Sequence, residues 1–197
     1  MRKHCLYICK IGLLILSISL YACYNDNGNR QPKGYKEYLS HLEEKIKLIE
    51  QKNIGKKIQN QDVYWGHDSV TSHTLEKILH TKRLFLYFSS NTCSPCIENT
   101  IGILKELFPD YIENDNIVFI STDYPHRYAE NVYGKRLLTL TKGELGLPIE
   151  RNDFPPFFFI ANEQLEIISI HIVNKLDLSK TKNFLFELKK SLCYVEK

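Results

Sequence analysis

Leu84-Phe85-Leu86-Tyr87-Phe88-Ser89-Ser90-Asn91-Thr92-Cys93-Ser94-Pro95-Cys96 is the stretch on which the fold turns. Leu84 to Phe88 is a continuous apolar and aromatic run, bounded by the polar Ser89-Ser90-Asn91. That pattern reads as a strand buried on both faces. After it, Ile97, Ile101, Leu104 and Phe108 recur at helical spacing, and Pro109 stops the helix. Cys93 therefore falls at a helix N-terminus, where unpaired N–H groups and the helix dipole favour a thiolate. A thiolate is the attacking species in disulfide exchange. Cys96 comes within reach of Cys93 once the first helical turn forms. Pro95 suits that turn, because it has no N–H to lose and its φ is preset. Cys93 is expected to be the exposed nucleophile and Cys96 the more buried resolving thiol. Two other readings of the pair are an inert structural disulfide and a metal site. Zinc needs about four ligands, and the chain has neither a second CxxC nor a paired histidine nearby.

Downstream, Ile117 to Ile120 is a second buried strand, which completes a right-handed βαβ unit. Residues 125–150 read as a less regular crossover with some helix. Phe157 to Ala161 and Leu165 to Val173 form a hairpin across the polar turn Asn162-Glu163-Gln164. Three consecutive phenylalanines, Phe157 to Phe159, alternate sides in a strand, so they supply core to both faces rather than one sticky surface. Thr181, Phe184, Leu185, Leu188 and Leu192 mark a closing helix. Upstream, Thr71 to His80 reads as a short capped helix. Residues 53–70 read as irregular and hold the only tryptophan, Trp65, as a packing anchor. Residues 35–52 form an amphipathic helix with Tyr35, Tyr38, Leu39, Leu42, Ile46 and Ile49 on one face.

The N-terminus reads as an address. Met1-Arg2-Lys3-His4 is a basic start, and an apolar stretch from Ile11 to Tyr21 is too short for a ~20-residue bilayer span. Leu20-Tyr21-Ala22-Cys23 resembles the bacterial lipobox, which implies cleavage before Cys23 and acylation of that cysteine. Residues 1–22 are then a lipoprotein signal peptide and 23–34 a flexible, Asn- and Gly-rich tether. Residues 35–70 are a helical and irregular extension, and 71–197 the main domain.

The 197 residues are 43% hydrophobic and 25% charged, an ordinary globular composition. The net charge of +3 is accounted for by Arg2, Lys3 and Lys10, so the rest of the chain is neutral. No basic run exceeds two residues, which argues against nucleic acid as a partner. His67, His73, His80, His126 and His171 show no ligand spacing. Asp123 and His126 follow the second strand, where α/β sites gather, but such residues more often solvate a loop.

Leu84 to Cys96 resembles the active-site strand, loop and helix start of thioredoxin-fold proteins. Phe154-Pro155-Pro156-Phe157-Phe158-Phe159-Ile160-Ala161-Asn162 is similar to the segment where that family sets a cis-proline opposite the CxxC. Within the family the resemblance is to the envelope-anchored TlpA/ResA group and spans about residues 70–192. It implies an α/β thioredoxin-like fold with a central mixed sheet flanked by helices. It also implies a thiol-disulfide oxidoreductase in the cell envelope, in the reductase direction, with no cofactor beyond the Cys93–Cys96 disulfide. Its partners are envelope protein thiols or disulfides, an electron donor, and the membrane through the lipid on Cys23. Pro156 aligns with the cis-proline without a gap, and Pro155 is the alternative. Thr92, Pro155 and Pro156 are then substrate-binding positions, and Pro156 is expected to follow a cis bond at the entrance of an edge-lying strand. Three positions depart from the family. Thr92 replaces a tryptophan before the first cysteine, Tyr87 replaces a buried aspartate, and Glu98 lies one residue short of a family glutamate. The proton shuttle is left unassigned. An accessory binding protein and a thiol peroxidase are the competing functions, though the Pro-x-x-x-Thr-x-x-Cys pattern of the latter is absent.

Overall fold

A computed structural model describes residues 34–66, 72–79, 83–122, 128–152 and 155–193. The expectations for the signal, Cys23, the tether up to residue 33, His67, His80, Asp123 and His126 lie outside these residues. The chain divides into two units, 1–44 and 45–197. The described part of the first is Gly34 and the opening turns of helix α1, Tyr35–Asn53.

The second unit is built on one seven-stranded mixed sheet. Its elements in chain order are β1 (Asp62–Trp65), β2 (His73–Thr74), α2 (Leu75–Leu79), β3 (Leu84–Tyr87), α3 (Ser94–Leu107) and β4 (Ile117–Ser121). They continue with β5 (Leu137–Leu140), a short 3-10 helix (Pro148–Asn152), β6 (Phe157–Ala161), β7 (Ile167–Ile172) and α4 (Leu178–Cys193). The strand order is β2-β1-β5-β4-β3-β6-β7. β3 pairs parallel with β4, and β4 with β5, while β6 runs antiparallel to both β3 and β7.

The alternation of side chains explains why β3 and β6 read as unbroken apolar runs. Leu84, Leu86 and Phe88 point to one face with Phe158 and Ile160, where Ile97, Ile101 and Leu104 of α3 and Leu185 of α4 cover them. Phe85 points to the other face with Phe157 and Phe159, and partly buried Tyr87 packs there too. Leu75 and Leu79 of α2 and Ile46 and Ile49 of α1 cover that face. Across the strands, Phe85 stacks on Phe159 at 4.9 Å and Tyr87 on Phe157 at 4.6 Å. Such pairs contribute about 0.5–1.5 kcal/mol each beyond their burial.

Two sequence expectations need correction. Residues 53–70 contain a strand, β1, which lies antiparallel to β5. Residues 125–150 contain β5 itself, fully buried between β4 and β1. Each is a four-residue strand, too short to show a period.

The outer edge of β7 is also closed by residues near α1. Ile167 N–H donates to Lys56 O at 2.9 Å, Gly55 N–H to Ile167 O at 2.8 Å, and Ile58 N–H to Leu165 O at 2.8 Å. Farther along, Ile172 N–H donates to Glu50 Oε1 at 2.8 Å. An edge strand left open invites pairing with other chains, and this cover removes part of that template.

Candidate redox site

Cys93 and Cys96 are joined as a disulfide, with Cα atoms 5.3 Å apart. Cys93 is exposed and Cys96 half-buried, as the helix-start reading expects. Cys93 is the N-cap of α3, with extended φ and ψ of −59° and 129°. Its carbonyl accepts from Cys96 N–H at 2.9 Å and from Ile97 N–H at 3.2 Å. Pro95 contributes no donor, so Ser94 and Cys96 carry the remaining N–H groups of the first turn. No acid stands in that turn to oppose a thiolate. Glu98, one turn on, is exposed. Below the dithiol, Thr100 Oγ1 donates to Cys96 O at 2.7 Å, and Ile97 and Ile101 are buried. The first turn is thus pinned from the core side while Cys93 stays open to solvent.

The loop leading to Cys93 closes on itself. Thr92 Oγ1 accepts from Ser89 N–H at 3.0 Å, and Thr92 N–H donates to Ser89 O at 3.1 Å. Thr92 is half-buried, with its hydroxyl turned back into this loop. Ser90, Asn91, Cys93, Ser94 and Pro95 form an exposed, uncharged rim.

Pro155 and Pro156 lie at the same end of the sheet. Tyr87 is opposite Phe157 in the antiparallel β3–β6 pair, so the residues before Phe157 run beside those after Tyr87. Pro155 is half-buried and Pro156 buried. The expectation of a cis bond before Pro156 fails: the described residues contain no cis peptide, and the Pro155–Pro156 bond is trans. The premise of an edge-lying strand fails with it. β6 sits inside the sheet between β3 and β7, and Pro156 O accepts from Val173 N–H at 2.9 Å. A proline is tolerated here because it stands at the strand's entrance and its carbonyl alone is paired. The bond before Pro155 involves Phe154, outside the described residues.

Tyr87, in the place of the family's buried aspartate, meets a carboxyl that the sequence reading missed. Glu150 accepts from Leu145 N–H at 2.7 Å, from Leu147 N–H at 2.8 Å, and from the Tyr87 hydroxyl. Burial pushes its carboxyl above the ordinary value, against the pull of these three donors. Nothing in the spacing of Glu150 announces this, since it stands on a short 3-10 helix, 63 positions beyond Tyr87. Among the described residues no group of three or more His, Cys, Asp or Glu side chains is placed to hold a metal. Nor is any described helix long and apolar enough to cross a membrane.

A disulfide therefore opens the helix that follows a central strand. That helix leads into a parallel strand, and an antiparallel hairpin and a final helix complete the other side. The fold is thioredoxin-like. Among solved structures the chain is similar to a thioredoxin-like protein from Porphyromonas gingivalis, at 14% identity over 71% of this chain and 94% of that one, TM-score 0.47. It is also similar to a secreted thiol-disulfide isomerase from Corynebacterium glutamicum, at 14% identity over 57% of this chain and 74% of that one, TM-score 0.39. A thiol peroxidase from Chromobacterium violaceum is similar at 14% identity over 70% of this chain and 88% of that one, TM-score 0.43. No protein-family model matches the chain, and no curated protein does.

Proposed function

We propose that this thioredoxin-like chain is a thiol-disulfide oxidoreductase that works through Cys93 and Cys96. The observation that carries the reading is the disulfide at the start of α3, with its first cysteine exposed and its second half-buried. In the reductase direction, the Cys93 thiolate attacks one sulfur of a substrate disulfide. A mixed disulfide forms and the other substrate sulfur leaves as a thiolate. Cys96, once deprotonated, attacks Cys93 Sγ; the Cys93–Cys96 disulfide forms and the substrate departs with two thiols after protonation. A dithiol donor then returns two electrons to the pair. The uncharged rim of Ser90, Asn91, Ser94 and Pro95 suits extended polypeptide substrates without a charge requirement. Envelope location and anchoring through a lipid on Cys23 belong to the same proposal, supported by the h-region and lipobox pattern.

The test is catalysed reduction of insulin disulfides by dithiothreitol. The wild-type chain should accelerate it, Cys93→Ser should abolish the acceleration, and Cys96→Ser should trap a mixed disulfide through Cys93. Full activity in Cys93→Ser would refute the reading and favour an accessory binding role. Rapid turnover of hydrogen peroxide, with no effect on insulin, would make the chain a thiol peroxidase instead.

A further inference from the structure

Opposite the redox end, the sheet carries a cleft that the dithiol chemistry does not use. Arg83 directly precedes β3, and Arg136 directly precedes β5, so both stand at the N-terminal ends of parallel strands. Cys93 lies beyond the C-terminal end of β3. Between those N-terminal ends is a cavity of about 370 Å³, within the range of small-ligand sites. Trp65, Ile112, Ile117 and Val118 supply apolar wall, and Arg83, Lys135, Arg136 and Asp115 supply charge, three cations against one acid.

The walls are held in place before any ligand arrives. Lys135 is buried and its ammonium donates to the carbonyls of Tyr111, Ile112 and Asn114 at 2.9, 3.0 and 3.1 Å. That satisfies its three donors and fastens the turn bearing Ile112 to the start of β5. Asp110 and Glu113 also act on Lys135 electrostatically but do not line the cleft. Tyr111 Oη donates to Tyr133 O at 2.6 Å, which locks the same turn from its other side. Gly134, which lines the cavity at φ +94°, lies close under Ile112: a Cβ there would stand 3.0 Å from Ile112 Cδ1.

The cation most open to a ligand is Arg136. Its Nη2 donates to the backbone Trp65 O at 3.2 Å, which ties the guanidinium to the end of β1, and both residues line the cavity. Its Nε pairs with Glu130 Oε1 at 2.9 Å, and both side chains are about half exposed, at 51% and 43%. An ion pair so exposed is weak, so an incoming carboxylate can compete with Glu130 for the guanidinium. The guanidinium fork fits a carboxylate in two-point fashion, and the indole and isoleucine walls fit an apolar body.

We propose that this cleft binds a small organic monocarboxylate with an apolar, ring-sized body, independently of the dithiol. Trp65 is the only tryptophan in the chain, so its emission reports occupancy directly. The experiment titrates the full chain with 3-phenylpropionate, its neutral amide and acetate, exciting at the red edge of indole absorption. The acid should change Trp65 emission saturably and bind at least tenfold more tightly than either the amide or acetate. Arg136→Gln should bring acid and amide within about twofold of each other, and Arg83→Gln should weaken the acid selectively. Cys93→Ser/Cys96→Ser should bind as the wild type does, which separates this site from the redox reading. No saturable change up to 10 mM acid, equal binding of acid and amide, or an unaltered preference in both folded arginine variants would overturn the proposal. Should Arg136→Gln fail to fold, Arg83→Gln and the acid-to-amide ratio on the wild type still decide it.

Discussion

A negative charge set beside Cys93 should lower its thiolate population without disturbing the helix. Ser94 is exposed and is the first residue of α3, so Ser94→Asp places a carboxylate on the nucleophile's neighbour. Neighbouring side chains lie about 6 Å apart, and at a water-like dielectric two unit charges there repel by about 0.7 kcal/mol. That is about a threefold fall in the ratio of thiolate to thiol. The substitution favours the fold itself, because an acid at a helix N-terminus contributes about 0.3–1 kcal/mol there. The unperturbed preference is set by the same terms in reverse. The dipole and a first-turn amide together favour the thiolate by about 1–2 kcal/mol, a five- to thirtyfold rise in that ratio. Part of this gain is lost to the weaker nucleophilicity of a stabilised thiolate. The half-burial of Cys96 adds to the contrast by disfavouring its charged form. In the reduced chain at neutral pH, limiting iodoacetamide should therefore label Cys93 about tenfold ahead of Cys96. Thiolate absorbance in Cys96→Ser should fall about two- to threefold in the Ser94→Asp variant. The neutral Ser94→Asn should leave it unchanged, and added salt should shrink the effect. Equal labelling of the pair, preferential labelling of Cys193, or a thiolate population indifferent to Ser94→Asp would refute the helix-start argument.

Burial holds the Lys135 ammonium below the ordinary lysine value, so in the alkaline window beneath that value the unfolded chain binds more protons than the folded one. The contribution of Lys135 to stability should therefore rise with pH across that window, seen as an increase in urea midpoint from pH 8 to 10 that Lys135→Met lacks. The same variant should cost about 1–3 kcal/mol near neutrality, because it leaves three carbonyls without their donor. Glu150 runs the other way: its raised carboxyl means the folded state keeps its proton longer, so stability from this group falls as pH rises above the ordinary carboxylate value. Comparing Glu150→Gln with wild type between pH 4 and 7 should show the difference in unfolding free energy shifting in favour of the variant as pH rises. Phe158 is fully buried between β3, β7 and α4, and Phe158→Ala should lower the unfolding free energy by about 3–5 kcal/mol in chemical denaturation. Mass spectrometry of the membrane-extracted protein should find an acylated N-terminus at Cys23; a free Cys23 thiol within a longer chain would sink the anchoring proposal.

The local chemistry of this protein is written into adjacent residues. The strand at Leu84, the helix that opens at Cys93, its stop before Pro109, the parallel strand at Ile117 and the hairpin after Phe157 each announce themselves through period, run length or a breaker residue. The pairing of Cys93 with Cys96 and their unequal exposure follow from three residues and one helical turn. What tertiary structure alone decided is whatever depends on neighbours distant in the chain. β1 and β5 are four-residue strands whose apolar character means little until they lie against each other and β4. Sequence spacing encodes neither the trans bond at Pro155–Pro156 nor the inner position of β6. Glu150 meets Tyr87, and Glu50 reaches the edge of β7, only because the chain returns to the same place after long excursions. A periodic side-chain pattern records which face is buried; it does not record which distant group will be buried with it.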